Sequence, residues 1–424
     1  MDPRRACLAA SALAVAGAGL VAGACDGSGD AQSSGAPAND AGIGDGGGSS
    51  GALPGTEGGA PGIVDAGGPT PADASPDAIG PTAHGRLVAF ASGYGPNLFT
   101  FAVDPSTGDL SPLSMLASFG TAPSFLAPNP AMTFLYAVDE NQTGRVGAYR
   151  IDADAGALSF LGAVSTEGSG PAFVGLDRTG RYVFAANYTD GSVTVFPVQA
   201  DGSLGAPTDH QMAGGEAHMA ITDPSNAYLF VPCKADDRVR RFTFDATTGK
   251  LGSDAVMTGS VMTAAGAGPR HLAFHPNGKW AYLINETNST MTAYAYDAAT
   301  GTMTPVGTQS TVPPSFHGTN TAAEVWVHPS GSWVVGSNRG ADDLVVFAVD
   351  ASTGALVSPT FTSAGGMAPR DFAFDPSGSW LYAADEDSGA VVPFRFDASM
   401  GTLAPLGHTV VVPQASYVGL GTLP

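Results

Sequence analysis

One pattern recurs seven times between His84 and the end of the chain, and each copy opens a β-rich run on an aromatic or aliphatic residue, here called the anchor. The anchors are Leu87, Phe134, Tyr182, Tyr228, Trp280, Trp333 and Trp380, of which Leu87 is the weakest match. They are spaced by 46 to 53 residues. A period of this length indicates repeated supersecondary units that each pack only on their neighbours. The repeat therefore predicts an all-β chain folded as a seven-bladed β-propeller.

The copy around Trp280 shows the content of one unit most clearly. Alternating apolar runs are separated by Pro276-Asn277-Gly278 and by the Asp-x-x-x-Gly sequence of residues 297–301, as expected for the four strands a to d of an antiparallel meander. Recurrence of the Asp-x-x-x-Gly sequence favours a tight turn over calcium binding, because each copy offers too few oxygen ligands. His275 and His328, each followed by proline, are likewise interpreted as structural turn residues.

The first unit lacks an inner strand, whereas the last is followed by an additional strand-like run at residues 416–420. We predict that this C-terminal run supplies the missing strand and closes the ring, so that no sheet edge stays open. Glycine and proline number 58 and 32, and charged residues make up only 13% of the chain. This composition suits short strands and tight turns better than long helices.

The N-terminal region has a different character. Arg4 and Arg5 precede an apolar, alanine-rich run, so residues 1–24 are predicted to be a signal peptide. Cys25 then follows small residues, as at a lipoprotein processing site, although ordinary cleavage and secretion is the alternative. Residues 25–83 are read as this lipidation site and a Gly/Ala/Pro/Ser/Asp-rich linker, which is too poor in apolar side chains to fold. The propeller is assigned to residues 84–424, and the protein is predicted to be exported and to touch a membrane only through its lipid.

Charge and cysteine usage narrow the range of functions. The net charge of −21 argues against nucleic acid as a partner, because phosphates require a basic surface. Cys233 is the only cysteine within residues 84–424, so no disulfide can form inside the propeller. Cys233 and the scattered histidines offer no pair of zinc ligands at close spacing in the sequence, so no metal or cofactor is expected.

The repeat also predicts which residues meet at one end of the central channel. Strands a and b are antiparallel neighbours, so residues before a and after b face the same mouth. Ionisable residues are concentrated at these positions in blades four to seven, which indicates a polar site, although solvated loop charges are the alternative. Counting from the anchors gives three sets. Ten residues before are Ser124, Ala172, His218, Arg270, Ala323 and Arg370; nine before are Phe125, Phe173, Met219, His271, Glu324 and Asp371; six after are Gly93, Glu140, Tyr188, Lys234, Glu286, Arg339 and Glu386.

Residues 268–286, 324–331, 337–340 and 369–378 together resemble the bacterial lactonase family of seven-bladed propellers, which includes a class of 6-phosphogluconolactonases and a fungal carboxymuconate cyclase. The resemblance implies an active site at four positions, with His271 and Glu324 beside them. Those four are His218, Arg270, Glu286 and Arg339. Lactone hydrolysis needs a base to activate water and cations to hold an anionic substrate and the developing oxyanion. We expect Glu286 or His218 to be the base, and Arg270, Arg339, His271, Glu324 and Arg370 to bind the substrate or oxyanion.

Three functions stay open at this level. The first is an exported lactonase that opens a sugar or other anionic lactone, similar to 6-phosphogluconolactonase. The second is a non-catalytic propeller that binds a partner or glycan through the same rim, because a fold does not fix a function. The third is a lactone-forming cyclase or isomerase.

Overall fold

The computed structural model describes residues 85–252 and 260–424, which form seven antiparallel β-sheets, one for each predicted repeat. The first strands of neighbouring sheets contact one another around the ring, so strand a of each blade lies nearest the centre. The all-β, seven-bladed prediction is confirmed. The predicted signal peptide (1–24), Cys25, the linker (25–83) and His84 lie outside the described residues. Within the described part, no helix has the length and apolar character needed to cross a membrane.

The strands of each blade are given in the order a, b, c and d. Blade 1 has Ala415–Thr422, Leu87–Gly93, Asn97–Val103 and Leu110–Ala117, and blade 2 has Leu126–Pro128, Phe134–Asp139, Arg145–Ile151 and Leu158–Ser165. Blade 3 has Pro171–Leu176, Tyr182–Asn187, Ser192–Pro197 and Asp209–Met212. Blade 4 has Ile221–Thr222, Tyr228–Cys233, Arg238–Asp245 and a d strand in two pieces, Lys250–Gly252 and Val261–Met262. Blade 5 has Pro269–Phe274, Trp280–Asn285, Thr290–Asp297 and Thr302–Ser310. Blade 6 has Thr321–Val327, Trp333–Arg339, Asp343–Val349 and Leu356–Ser363. Blade 7 has Pro369–Phe374, Trp380–Asp385, Ala390–Asp397 and a divided d strand, Thr402–Pro405 and Val410–Val411. A 3₁₀ turn at Lys234–Asp236 follows strand b of blade 4.

Every anchor begins strand b of its blade, and the six aromatic anchors share one reason for being there. Each aromatic ring packs against the glycine that closes the turn between strands c and d of the next blade. At Trp280, for example, a Cβ atom added to Gly354 would lie 2.5 Å from the indole ring. The pairs are Phe134 with Gly202, Tyr182 with Gly249, Tyr228 with Gly301, Trp280 with Gly354, Trp333 with Gly401 and Trp380 with Gly108. Leu87, the weak anchor, has no such partner glycine among the described contacts. Each aromatic anchor therefore makes a contact between neighbouring blades in addition to beginning strand b of its own blade.

The C-terminal strand closes the ring as predicted. Ala415–Thr422 pairs antiparallel with Leu87–Gly93 and becomes the inner strand of blade 1. Blade 7 contacts blade 1 through two further hydrogen bonds to the first c–d turn. Trp380 Nε1 donates to the Pro105 carbonyl at 3.1 Å, and the Tyr382 hydroxyl donates to the Gly108 carbonyl at 2.9 Å.

The turn residues have structural contacts that agree with their sequence interpretation. Nε2 of His275 lies 2.8 Å from the Gly331 carbonyl of the next blade, and Nε2 of His328 lies 3.0 Å from the Gly378 carbonyl. In an Asp-x-x-x-Gly turn, the Asp350 carboxylate accepts hydrogen bonds from the backbone amides and the side-chain hydroxyls of Ser352 and Thr353. The bonds from these two side chains lower the pKa of Asp350 to about 2.

Candidate active site

A cavity of about 200 Å³ opens at the predicted mouth of the channel. Its lining residues all stand ten before or six after an anchor, so the two register sets meet at one rim as the antiparallel arrangement requires. They are Glu140, Ala172, Tyr188, His218, Glu286, Arg339 and Arg370. The residues nine before an anchor lie one layer deeper. The register thus separates the wall of the cavity from its floor.

β-Bulges at the start of strand a turn two arginines towards this mouth. In blades 5 and 7 the pairing with strand b skips one residue, Arg270 between Pro269 and His271, and Arg370 between Pro369 and Asp371. A residue left out of the ladder is free to direct its side chain away from the regular pleat. The arginines therefore point differently from the residues that follow them.

The carboxylate of Glu286 is surrounded by three cations. Its Oε2 atom lies 3.3 Å from Arg270 Nε and 3.2 Å from Arg339 Nη2, and its Oε1 atom lies 3.2 Å from Lys234 Nζ. Burial would raise the pKa of Glu286, but Arg270, Arg339 and Lys234 together outweigh that effect, and the pKa is lowered. Glu286 is therefore an ionised counter-anion that holds these side chains together.

Arg270 is the most enclosed cation of this group, with 3% of its surface exposed. Its Nη1 atom donates to the Ala323 carbonyl at 2.5 Å. Burial, followed by repulsion from Arg339 and Arg370, lowers the pKa of Arg270 to about 10. Because Arg270, Arg339 and Lys234 surround the single Glu286 carboxylate, this side of the mouth favours an anion.

Acidic and aromatic groups hold Arg370 on another wall. Its Nη1 atom lies 3.4 Å from Glu386 Oε2, and its guanidinium lies 5.2 Å from the centre of the Tyr94 ring. The Tyr94 hydroxyl donates to Glu140 at 3.1 Å, and the Ser124 hydroxyl also donates to Glu140. The charges at the rim therefore form a connected, partly buried network instead of separate solvated side chains.

His218 meets the cavity from blade 4 and is only 4% exposed. Its ring packs edge-on against Tyr188, with 5.6 Å between the ring centroids. Burial, followed by the positive charge of Arg270, lowers the pKa of His218 well below its ordinary value. The imidazole is therefore neutral near pH 7 and can accept a proton.

The floor beneath His218 is made by buried ionisable residues among aromatic rings. His271 Nε2 lies 3.2 Å from His218 Nδ1, and His271 Nδ1 lies 2.5 Å from Glu324 Oε2. Phe125 and Phe173 pack edge-on against the His271 ring. Beyond this floor, a larger and more apolar cavity of about 630 Å³ fills the other half of the channel. The floor thus separates the two halves.

The structure brings the seven sequence-predicted residues together in two layers. His218, Glu286, Arg339 and Arg370 line the cavity, and Arg270 contacts Glu286 directly. His271 and Glu324 lie in the floor and are absent from the lining, so their contact with a substrate stays a prediction.

Three lining or contacting residues were not selected from the sequence, namely Glu140, Tyr188 and Lys234. All three stand at the six-after position and were counted in that set, but only Glu286 and Arg339 were chosen from it as site residues. Within residues 85–252 and 260–424, no three His, Cys, Asp or Glu side chains group closely enough to hold a metal ion.

Comparison with known proteins places this site in a family. The family model of the seven-bladed β-propeller lactonases matches residues 87–420. The chain is 33% identical over 302 residues to a 6-phosphogluconolactonase of Bacillus subtilis, covering 69% of this chain and 84% of the relative. It is 38% identical over 260 residues to a 6-phosphogluconolactonase of Pectobacterium carotovorum, covering 60% and 74%. Among solved structures, a periplasmic gluconolactonase of Pseudomonas aeruginosa superimposes with a TM-score of 0.74 and 29% identity, covering 80% of this chain and 99% of that one. The chain belongs to the lactonase family of seven-bladed β-propellers.

Proposed function

We propose that the protein is an exported lactonase that hydrolyses a sugar lactone at the mouth cavity. The observation that carries this proposal is that His218 lines the same small cavity as Glu286, whose carboxylate is surrounded by cations. Burial and the charge of Arg270 lower the pKa of His218 and so keep it available as a proton acceptor. A proton acceptor beside fixed positive charge is what ester hydrolysis requires. Glu286 is ionised but held by three cations, so it is the weaker candidate for the base.

In the proposed reaction, His218 Nε2 accepts a proton from water as the water oxygen attacks the lactone carbonyl carbon. The developing oxyanion, and any anionic group of the substrate, is held by Arg339 and Arg370, with Arg270 oriented behind them through Glu286. Collapse of the tetrahedral intermediate breaks the bond to the ring oxygen. That oxygen then receives the proton, and a hydroxy acid is released.

The export assignment rests on the sequence of residues 1–24 and on Cys25, with residues 25–83 proposed as a tether for the propeller. A relative described as periplasmic supports this location. Since a phosphorylated pentose-pathway lactone belongs to the cytoplasm, we favour an unphosphorylated sugar lactone of the gluconolactone type. Cell fractionation of wild type and Cys25→Ser tests the anchor: the wild type is expected in the membrane fraction and the variant in the soluble fraction. An unchanged distribution would refute lipidation.

The activity is tested by following acid release from glucono-δ-lactone and from its 6-phosphate, after subtraction of spontaneous ring opening. Arg270→Ala and Glu286→Gln should each lose hydrolysis, whereas Arg395→Ala, an exposed arginine on strand c of blade 7, serves as the matched control. Wild-type protein without turnover on either lactone or on a wider lactone panel would overturn the proposal. Recovery of a bound protein or glycan would then favour the non-catalytic alternative.

A further inference from the structure

A continuous line of hydrogen-bonding groups leads from His218 away from the cavity. It runs from His218 Nδ1 to His271 Nε2 at 3.2 Å, and from His271 Nδ1 to Glu324 Oε2 at 2.5 Å. The Glu324 side chain in turn shares a hydrogen bond with Asp371. All four residues are at least 95% buried, and the rings of Phe125 and Phe173 pack against His271.

The carboxyl pair at the end of this line holds one proton. Burial raises the pKa of Asp371 well above its ordinary value, and the nearby Glu324 charge raises it further. Asp371 is therefore the protonated member and donates to Glu324, while its Oδ2 atom accepts from the Val418 backbone at 2.9 Å. Burial raises the pKa of Glu324 as well, but Arg270, whose Nη1 atom lies 3.8 Å away, opposes that rise, so Glu324 is the member of the pair that ionises first. Two carboxyl groups in contact cannot both ionise in such a setting.

This arrangement determines the tautomer of both histidines. Ionised Glu324 only accepts hydrogen bonds, so His271 carries a proton on Nδ1. Burial, followed by the positive charge of Arg270, holds the pKa of His271 well below its ordinary value, so the ring is neutral and its Nε2 is unprotonated. His218 must then donate from Nδ1 to His271. Because His218 is neutral, its Nε2 carries no proton and is left as the acceptor on the cavity side.

We propose that His271, Glu324 and Asp371 form a proton relay that fixes the reactive tautomer of His218 and takes over the proton that His218 receives. This inference rests on the proposed function in one respect, the role of His218 as the base. When His218 Nε2 gains a proton from water, the Nδ1 proton passes to His271 Nε2, and the Nδ1 proton of His271 passes to Glu324 Oε2. Both histidines end neutral in the opposite tautomer, and Glu324 ends protonated. The reverse sequence returns one proton to the leaving oxygen.

The charges around His218 explain why such a relay is needed. Arg270, Arg339 and Arg370 all disfavour an imidazolium at this position. The acidic groups around His218 are Glu286 and Glu140, which line the same cavity, and Glu324, which contacts His271 on the floor side. When the proton passes on to Glu324, His218 does not remain a positively charged imidazolium beside the arginines. The proton is held instead by Glu324, which becomes a neutral carboxylic acid in the floor. His271, Glu324 and Asp371 are thus positioning and proton-holding residues that act through His218.

The tautomer is tested by nitrogen-15 spectra of the full-length protein labelled at histidine, recorded without substrate, with His218→Gln used to assign the His218 signals. In the wild type we expect His218 Nδ1 to be protonated and Nε2 unprotonated near pH 7. In His271→Phe, which keeps an aromatic ring between Phe125 and Phe173, this preference should be lost. A wild-type His218 that is protonated on Nε2, or on both nitrogens, would overturn the relay.

Glu324→Gln tests proton uptake separately, because a glutamine oxygen can accept from His271 but cannot take its proton. We expect kcat to fall by about 10²-fold with KM little changed. Glu167→Gln at an exposed position is the matched control. An unchanged kcat in Glu324→Gln would refute the uptake step. If His218 has the expected tautomer but the protein turns over no lactone, the proposed function is refuted and the tautomer assignment is supported. If the protein turns over a lactone but His218 has the opposite tautomer, only the relay is refuted.

Discussion

The contact between Trp380 and Gly108 predicts a specific sensitivity of the ring to one methyl group. Gly108 has φ +78°, where an L-residue costs about 1–2 kcal/mol. An added Cβ would also lie 2.5 Å from the Trp380 ring, which cannot easily withdraw because Trp380 is 8% exposed and donates to the Pro105 carbonyl. Overpacking of this kind costs a further ~1–3 kcal/mol. Gly108→Ala should therefore lower the free energy of unfolding by about 2–5 kcal/mol.

Gly278→Ala provides the matched control. Gly278 has φ +68° in a hairpin turn, but nothing lies within 4 Å of its added Cβ. This variant should lose only the backbone contribution of about 1–2 kcal/mol. Urea unfolding followed by far-ultraviolet circular dichroism measures both. The double variant Gly108→Ala, Trp380→Leu should show a smaller alanine penalty than Gly108→Ala alone. Equal destabilisation by Gly108→Ala and Gly278→Ala would refute the argument that the anchor ring needs this glycine.

Three further perturbations follow from the same structure. Deletion of residues 415–424 should abolish cooperative unfolding, because blade 1 loses its inner strand; an unchanged melting transition would contradict ring closure. Glu286→Gln should lower the free energy of unfolding by about 3 kcal/mol, because three cations lose their shared anion. Added salt should recover part of this loss, and a loss independent of salt would count against the electrostatic cause. Asp385 is buried with both carboxyl oxygens unpaired, and burial followed by the Asp342 charge raises its pKa to about 8. The stability that the protein has with a protonated Asp385 is therefore fully present below the ordinary carboxyl pKa and is lost as the pH rises towards 8. The free energy of unfolding of Asp385→Asn, measured by urea titration, should accordingly increase relative to that of wild type between pH 5 and 8. A difference between the two proteins that stays constant over this range would refute this.

The sequence was most informative about the fold where chemistry repeats. Each of the seven anchors begins a strand b, and the run near Tyr417 closes the ring as expected. The pairing of each aromatic anchor with a glycine of the next blade was not predicted, although both halves of the contact were visible. A repeat shows which residues are equivalent, but it does not show which equivalent residues touch across a blade interface.

The candidate site shows the same division between position and contact. Counting along the strands brought His218, Glu286 and Arg339 to one rim, but it could not show that Lys234 reaches Glu286 from the neighbouring blade. Counting placed Arg270 and His271, which are adjacent in sequence, in different sets, but it did not show why one side chain reaches the mouth and the other the floor. The cause is the bulge after Pro269, and the preceding Gly268 at φ +64° is the local signal for it.

The C-terminal strand also determines when the site can exist during folding. Its Ser416 hydroxyl donates to the Ser124 carbonyl across a separation of 292 residues, and its Val418 backbone amide donates to Asp371 in the floor. Contacts between such distant parts of a chain form slowly, because the intervening segment must be ordered first. The floor beneath His218 is therefore among the last parts of the molecule to be assembled. An incomplete ring would carry most of the residues of the site without the arrangement that makes them work together, and binding at this mouth would report on the completion of the whole fold.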